Sequence, residues 1–385
     1  MQVIRSLVLR GAASGAFVVT ALVTAAPCVF AQGASNETTS QSLLRLFDDS
    51  GKVSVRSFVQ EFALPLRKAQ LGVHWNNERV TIPGISASAG SQEAVDAVTT
   101  ASRPIAGNPY VEYVKVRNEV TSDVVLDHGS ATYYVSSESD YLAQQFGATF
   151  DRDFADQQLN LSFGTSYGWD DIQPLSNAGA QAPADHKQTF HGNVVATQVL
   201  SPTSMLRYGL EYNVVSGLQH NPYRNVYAGG SHVPERHPEH RERRDAFVRY
   251  HRWFANRSSV KTSYRLYNDD WGITSHEVGT SLSQYVGHDA AITYEYRWYR
   301  QSRADFYRDE YATLGGVDGY FSGDYRMDAL ASHLFGASLR LDLRAFGDAH
   351  GLLQRSTLWL DWQRYFNSNN YSANILEAGL DFRFR

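Results

Sequence analysis

Three histidines, His232, His237 and His240, crowd one short stretch of the sequence. Imidazole nitrogens are good ligands for Zn, Cu or Ni, so this stretch is a candidate metal site. The spacing does not match a standard structural zinc site, and the surrounding "PERHPEHRERRD" carries both charge signs almost alternately. The alternative is a network of ion pairs that is either solvated or lines an internal channel. No other cofactor is indicated.

A second candidate for chemistry is "GTSYG" at 164–168, which places Ser166 at the centre of a G-x-S-x-G string. A nucleophile of this type needs a sharp turn from a strand into a helix. Here the string lies inside "LNLSFGTSYGWDD", which has an extended pattern and no helical segment after it. We therefore expect a strand at this position and no enzymatic activity.

Two acidic–aromatic groups complete the candidates for chemistry: 269–271 (DDW), and 305–307 (DFY) together with Asp309 and Glu310. Carboxylate oxygens could hold a divalent cation, but no D-x-D-x-D spacing supports a cation site. We expect these carboxylates to pair with nearby arginines instead, chosen from Arg265, Arg297, Arg300 and Arg303.

The first 31 residues are typical of a secretory signal peptide. Arg5 and Arg10 provide the positive start, 11–26 is apolar and small, and 29–31 (VFA) fits the cleavage pattern. The only cysteine, Cys28, would be removed with this peptide, although a lipoprotein anchor at Cys28 is the rival interpretation. A mature chain without a thiol excludes disulfides and thiolate metal sites. Residues 32–50 are expected to form a flexible N-terminal segment.

The composition favours an exported β protein over a nucleic-acid binder. The net charge of the 385 residues is −5, whereas nucleic-acid binders usually carry a basic patch. Of the 35 basic residues 30 are Arg, since only five are Lys, and Arg suits paired carboxylates better than Lys does. After residue 31 no apolar run is long enough for a transmembrane helix.

The elements that must position these residues are strands, because the C-terminal half alternates between apolar and polar residues. In 335–343, 358–362, 292–298 and 260–266 alternate residues are apolar or aromatic and the intervening residues are largely polar or charged. Further candidate strands are 53–62, 69–82, 109–126, 130–138, 143–153, 157–168, 188–200, 203–216, 244–254 and 273–286.

Long strands joined by alternately short and long connections are typical of an outer-membrane barrel. The long connections are 84–108, 170–187, 217–243 and 301–332. We therefore predict an all-β fold, in which residues 51–385 form a single transmembrane antiparallel β-barrel of about 14–16 strands. A secreted soluble β protein, whose strands would also alternate, is the alternative.

The chain ends on one more alternating segment, "ILEAGLDFRFR". Its Gly379-x-x-Phe382-x-Phe384 pattern resembles the C-terminal signature by which outer-membrane barrels are presented to their assembly machinery. Arg385 follows the final aromatic residue, where the usual pattern ends. The last strand of such a protein pairs with the first, so that no edge is left open.

Several segments resemble the domain of unknown function 3570 family of predicted outer-membrane proteins. They are "SSESDY" (136–141), "NPYR" (221–224), "VPERHPEHRERRDA" (233–246), "YRLYNDDWGITSH" (264–276) and "QSRADFY" (301–307). The resemblance implies a β-barrel in the outer membrane of a Gram-negative bacterium, and it implies no reaction.

The function expected from these observations is a channel or transporter-like pore for small solutes or ions, with a charged, Arg-rich lumen. The expected partners are outer-membrane lipid and the assembly machinery, and no nucleic acid. The alternatives are a closed structural barrel that displays loops for partner or metal binding, and a barrel-type surface hydrolase. The candidate lumen residues are Arg265, Glu295, Arg297, Arg340, Asp342, Arg344, Asp361, Asp381 and Arg383.

Overall fold

Sixteen antiparallel strands form one closed barrel, as the sequence predicts, and two more strands form a separate hairpin. The computed structural model describes residues 37–82, 113–174, 184–222, 224–346 and 354–384. Its strands are β1 (Thr38–Asp49), β2 (Ser54–Pro65), β3 (Gln70–Ile82), β4 (Tyr113–Leu126), β5 (Gly129–Ser137), β6 (Tyr141–Phe154), β7 (Leu159–Ile172), β8 (Asp185–Ser201), β9 (Ser204–Gly217), β10 (Asn225–Ala228), β11 (Ser231–Pro234), β12 (His240–Trp253), β13 (Ser258–Asp269), β14 (Thr274–Val286), β15 (Ala290–Gln301), β16 (Leu330–Asp342), β17 (Ser356–Asn367) and β18 (Ser372–Phe384). Short 3₁₀ turns occupy Tyr325–Met327 and Leu343–Phe346.

Each strand pairs with its neighbour in sequence, except that β9 pairs with β12, because the β10–β11 hairpin lies outside the ring. The ring closes where β1 pairs with β18, from Thr38 opposite Phe384 to Asp49 opposite Ala373. Closure leaves no open edge among the sixteen barrel strands.

The first strand lies inside the segment that we expected to be flexible, so that expectation is wrong for 38–49. The reason is that β1 has apolar residues on both faces. Leu43 and Phe47 share one parity, and Leu44 and Leu46 share the other. Such a strand does not show the alternation that identifies a half-buried strand. The predicted signal peptide, residues 1–31, lies outside the described residues.

The strands direct their large apolar side chains outwards. Phe58, Phe146, Leu210, Tyr294 and Leu360 are each at least 41% exposed, with Leu210 reaching 65%. These residues lie on different strands around the whole ring, so that they form a continuous apolar belt. Soluble monomers rarely expose contiguous apolar surface on this scale. No helix among the described residues is long and apolar enough to span a bilayer.

The two rims of the barrel differ in their connections. The turn rim, where β1 begins and β18 ends, includes the short turns 66–69, 127–128, 155–158, 202–203, 254–257 and 287–289. The loop rim includes the longer connections 173–184, 218–239 and 302–329. Three predicted loops are therefore shorter than expected, because their flanking strands extend further. The predicted loop 84–108 lies outside the described residues.

Candidate functional site

The inner face of the barrel is polar along most of its height, and a buried ion cluster lies on β3 and β4. Arg117 Nη2 donates to Glu78 Oε1 at 2.8 Å, and Arg117 Nε lies 3.4 Å from Glu119 Oε1. Lys115 pairs with Glu138, which also lies 3.9 Å from Arg117. These five residues, called here the Arg117 cluster, are almost entirely removed from solvent.

A second ion cluster lies on β9, β12 and β13. Arg265 Nη2 donates to Glu211 Oε2 at 2.9 Å, and Arg265 Nε donates to Asp245 Oδ1 at 2.6 Å. The Arg265 side chain keeps 34% of its surface exposed. This Arg265 cluster therefore faces open space inside the barrel, unlike the Arg117 cluster.

Most of the lumen residues named from the sequence have the parity of the inner face. Arg297 lies 3.7 Å from Glu277, and Asp381 accepts a hydrogen bond of 3.2 Å from Trp359 Nε1. Glu295 has the same inward parity as Arg297, whereas its neighbour Tyr294 points outwards. The side chain of Glu295 is nevertheless exposed. The remaining residues of inward parity are Arg340, Asp342, Asp361 and Arg383.

Arg344 is the exception, because β16 ends at Asp342 and the chain turns into Leu343–Phe346. Its side chain is 58% exposed and pairs with Asp289 at 2.8 Å and Asp342 at 3.1 Å. Asp289 belongs to the turn between β14 and β15. Arg344 therefore links two connections at the turn rim and does not line the wall of the lumen, so the prediction for this residue is wrong.

The inward charges are unevenly distributed around the ring. The wall formed by β9, β12 and β13 carries six cationic side chains against the three carboxylates Glu211, Asp245 and Asp269; the cations are Arg207, Arg241, Arg243, Arg249, Lys261 and Arg265. On β2, β3 and β4 the inward residues are four carboxylates against two cations, namely Glu61, Glu78, Glu119 and Asp123 against Lys115 and Arg117. β2 is diametrically opposite β12 in the ring. A basic wall therefore faces an acidic wall.

Two loops pack together over part of the loop rim and form what we call the cap, residues 218–239 and 302–329. Bridges between the two loops pair Ala228 with Tyr311 and Arg236 with Phe321. Val226, Ala228, Tyr311 and Phe321 form a buried apolar cluster between them. The cap is anchored to the barrel wall because Gln301 Nε2 donates to the carbonyl oxygens of Arg326 and Asp328, both at 2.7 Å.

Glu235 is the polar centre of the cap, and its side chain is fully buried. It accepts from Arg224 Nη1 at 3.1 Å, from the backbone nitrogen of Asn221 at 2.8 Å and from that of Gly323 at 3.2 Å. Arg224 also lies 3.3 Å from Asp324. Glu235 and Arg224 belong to one loop and Asp324 to the other, so the ion pairs hold the two loops to each other.

Asp324 shows how strongly charged groups are compensated inside the cap. Burial alone would raise the pKa of Asp324, but the Arg326 and Arg224 guanidinium groups hold that pKa well below its usual range. Arg326 Nε donates to Asp324 Oδ1 at 2.7 Å. The carboxylate therefore stays ionised although it is buried, as expected for a paired buried charge.

The three histidines of the candidate metal site do not converge where their side chains are described. His237 is buried and packs against Trp271 and Phe306, with ring centroids 5.5 and 5.4 Å away. His240 is exposed and lies 3.6 Å from Glu242. The side chain of His232 lies outside the described set. Within the described residues, no three His, Cys, Asp or Glu side chains form a group that could hold a metal ion.

Two carboxylates of the acidic–aromatic groups, Asp269 and Asp309, pair with arginines. Asp309 lies 3.2 Å from Arg303, which was one of the expected partners. Asp269 pairs with Arg241, whose Nε donates to it at 2.9 Å. Arg241 is the partner because β12 and β13 lie side by side, which places Arg243 directly opposite Asp269 and Arg241 nearby.

Ser166 lies within β7, which continues to Ile172 without a strand-to-helix turn. Its hydroxyl accepts a hydrogen bond of 2.6 Å from Gln145 Nε2. His191 is its cross-strand neighbour on β8, but His191 Nε2 lies 3.2 Å from the amide nitrogen of Asn193. Ser166 therefore does not lie at the strand-to-helix turn that a nucleophile elbow requires.

The three residues of the C-terminal signature lie on β18, at the seam that closes the ring. Phe382 and Phe384 pair with Ser40 and Thr38 of β1. A side chain on Gly379 would begin 2.3 Å from the indole ring of Trp359 on β17, so glycine makes room for that ring. Arg385 lies outside the described residues.

The Arg117 cluster was missed in the sequence, although a signal for it exists. Charged residues alternate with valines over 114–120, namely Lys115, Arg117 and Glu119 with Val114, Val116 and Val120. Asn118 is the one position of the apolar set that is not a valine. This pattern indicates a strand with one charged face. The partners on β3 could not be inferred, because the connection between β3 and β4 is long and leaves the register open.

No curated protein matches the sequence. Solved structures that resemble the chain include a bacterial polysaccharide outer membrane secretin, with 8% identity, 91% of this chain and 99% of that chain covered, and a TM-score of 0.49. A loop-deletion mutant of OmpT, an outer membrane protein of Vibrio cholerae, shows 8% identity, coverages of 92% and 100%, and a TM-score of 0.42. OccK3 (OpdO) from Pseudomonas aeruginosa shows 8% identity, coverages of 90% and 95%, and a TM-score of 0.39.

These TM-scores lie below 0.5, so the likeness says nothing about activity or substrate. The family profile described as "Protein of unknown function (DUF3570)" matches residues 31–350. That range contains β1 to β16, both loops of the cap and every segment on which the resemblance was based. The chain therefore belongs to the domain of unknown function 3570 family, as the sequence motifs predict.

Proposed function

We propose that the protein is an outer-membrane channel of a Gram-negative bacterium, with a water-filled lumen that passes small ions or hydrophilic solutes. The observation that carries the proposal is the solvent exposure of charged side chains that face inwards. Arg249 and Glu295 are exposed although they lie on the inner face. Charges in such positions need water or a partner beside them.

The outer surface supports a membrane location. The exposed apolar belt surrounds the ring, and the barrel strands have 9 to 17 residues, β5 being the shortest and β8 the longest. A strand that crosses a bilayer needs about 9–11 residues. Most connections at one rim are short turns and the longest connections lie at the other rim, which follows the usual orientation with the short turns in the periplasm. The seam residues Gly379, Phe382 and Phe384 would then be read by the assembly machinery.

The facing basic and acidic walls supply a mechanism for selectivity. Opposite charges on facing walls create a field perpendicular to the path of the solute, and rings of charged side chains select between ions. Anions would pass beside the exposed Arg249 and the partly exposed Arg265 on β12 and β13. A polar neutral solute would be oriented by the same field.

The test is the conductance of the refolded mature chain in a planar bilayer, with reversal potentials measured under a salt gradient. Stable current steps are expected. Arg249→Glu and Glu295→Arg should move the reversal potential in opposite directions, because each changes an exposed charge in the lumen. Arg344→Glu is the matched control, since that side chain lies at the turn rim, and its effect should be smaller. A barrel that inserts and conducts no current would contradict the proposal.

A closed structural barrel is the second candidate, and the cap is the observation that favours it. Loop 302–329 reaches the inner-face residue Gln301 near the loop rim. Tyr325 of the same loop packs at a tilt against Tyr371 of the β17–β18 turn, with ring centroids 6.2 Å apart. A cap held by buried ion pairs could block passage. Suppose that the wild-type barrel inserts stably but conducts no current. If Glu235→Gln, which loosens the cap, then gives conductance, the barrel is a channel blocked by its cap and is not closed along its length.

A further inference from the structure

The cap contains a pocket of about 500 Å³ that no role described above uses. It lies between the segment after β9, the segment between β11 and β12, and loop 302–329. The residues that line it are His220, Pro234, Glu235, Arg236, His237, Glu239, Tyr320 and Phe321. Its size falls within the range of small-molecule sites.

His237 presents an unused hydrogen-bond acceptor in this pocket. Its side chain is 2% exposed, and its Nδ1 lies 3.3 Å from the carbonyl oxygen of Gln219. A carbonyl only accepts, so Nδ1 carries the proton and Nε2 carries a lone pair. Nε2 is buried without a hydrogen-bond partner, and it lies 3.7 Å from Glu235 Oε2, which is another acceptor. Glu235 Oε2 already accepts from Gly323 N and Ser322 Oγ, so His237 Nε2 is the acceptor that lacks a donor.

A second histidine in the same pocket has an unused nitrogen. His220 Nδ1 is buried and has no hydrogen-bond partner, and its ring meets that of His237 edge to face at 6.2 Å. Burial lowers the pKa of both rings, that of His237 to about 4. Both imidazoles are therefore neutral at pH 7, and each can accept a hydrogen bond.

The charges that line the pocket are balanced. Glu235 is already neutralised by Arg224 and by backbone donors. Glu239 and Arg236 are exposed and carry opposite charges. The site therefore has no net charge to attract an ionic ligand. Tyr320, Phe321 and Pro234 add an apolar wall, with Phe321 largely buried.

We propose that this pocket binds a small neutral saccharide at the loop rim. A sugar hydroxyl would donate to His237 Nε2, a second hydroxyl, which can donate or accept, would pair with His220 Nδ1, and the apolar face of the ring would pack on the aromatic wall. The proposal does not depend on conduction, because a closed barrel would hold the same pocket.

The experiment is saturation-transfer NMR with the full-length mature chain, refolded in detergent, and neutral hexoses as the probes. Glucose, galactose, mannose and maltose are each compared with glucosamine and glucuronate, which carry a positive and a negative charge on the same ring. At least one neutral sugar should receive saturation transfer, and both charged sugars should receive less. Silence from all four neutral sugars, or a preference for a charged one, overturns the proposal.

Two variants assign binding to this pocket. His237→Phe keeps the aromatic packing and removes the acceptor, so affinity should fall about tenfold, as expected for one lost buried hydrogen bond. His240→Phe is the matched control, because His240 is exposed and does not line the pocket. Heat-modifiable mobility confirms that each variant folds, and His220→Phe replaces His237→Phe if the latter does not. Equal affinity of the folded pocket variant and the control would place the sugar elsewhere and refute the assignment.

Discussion

Arg117 is the residue whose surroundings depend most on a single charge. Glu78, Glu119 and Glu138 all lie within 3.9 Å of it, and the whole group is buried. Asn76 and Tyr134 donate to Glu119 at 2.6 and 2.7 Å, which completes the network. A buried carboxylate is tolerated only while its partners remain. Arg117 therefore offsets the mutual repulsion of Glu78, Glu119 and Glu138.

Replacement of Arg117 tests this dependence. Arg117→Gln should lower the free energy of unfolding by about 3–5 kcal/mol, because three buried carboxylates lose their shared cation. Arg265→Gln is the matched control: its site is partly exposed, so water screens the loss and the effect should be smaller. Urea unfolding of both refolded variants measures the difference. Equal losses would show that burial of the Arg117 cluster has no energetic consequence.

His237 makes the cap sensitive to acid. Burial is the main reason why its pKa falls from 6.5 to about 4. The negative charges of Glu235 and Asp324 raise the pKa in part, and Arg224 and His220 lower it further. The unfolded loop therefore binds a proton more readily than the folded one. Stability of the cap is fully present above pH 6.5 and is lost as the pH falls towards 4, by up to roughly 3 kcal/mol.

Hydrogen exchange of residues 218–239 between pH 7 and 4 measures this loss, after correction for the intrinsic exchange rate. His237→Gln should give a flatter profile, because its side chain does not titrate. His240→Gln should keep the wild-type profile, since His240 is exposed. A wild-type cap whose protection is independent of pH would contradict the assignment.

At the scale of the strand, parity decides what each residue does. The inward and outward sets of β13, β15, β16, β17 and β18 follow from alternation alone, because each strand has one apolar and one charged face. Arg344 escaped this rule since its strand ends two residues earlier. The β10–β11 hairpin also escaped it, because four-residue strands are too short to show a period.

The outward face of β17 can be tested with one substitution. Leu360→Arg should hinder assembly by roughly 2–4 kcal/mol, because it places a charge in the middle of the apolar belt. Ser338→Arg is the control: it lies opposite Asp361 on the inward parity and adds the same side chain. Heat-modifiable mobility in gel electrophoresis reports assembly. Normal mobility of Leu360→Arg would contradict the face assignment.

Gly379 can be tested through the ring that covers it. A Cβ at this position would overlap the indole of Trp359, so Gly379→Ala should destabilise the β17–β18 pair by about 1–3 kcal/mol. The double variant with Trp359→Leu should recover part of that loss, because the overlap is removed. Thermal melting of the barrel in detergent measures both. An additive loss in the double variant would show that the indole is not the obstacle.

For the whole molecule, the class of fold could be predicted and the cap could not. Alternation and connection lengths are local signals, so they indicate a barrel and bracket the sixteen strands that form it. The cap depends on contacts between loops far apart in sequence, such as Glu235 with Gly323. The sequence of neither loop contains a pattern that predicts its contacts with the other loop. The same reason explains why the pocket in the cap has no signature in the sequence.

Closure of the whole ring can be tested at its last residue. Deletion of Phe384 and Arg385 removes the partner of Thr38 at the turn rim and part of the assembly signature. We expect less folded barrel in the outer membrane and more unassembled chain in the periplasm. Quantitative blotting of membrane and periplasmic fractions measures the ratio. An unchanged ratio would remove Phe384 from the assembly signal.

The pairing of β1 with β18 should be a late step in folding. Their contacts join residues separated by almost the whole chain, as in Arg45 with Glu377 at 2.5 Å. Such contacts have the highest loop-closure cost and slow the search for the native state. Until β18 arrives, both β1 and β17 are open edges that could pair with another copy. The lifetime of this open ring, more than the stability of the closed one, should determine how much protein aggregates before assembly.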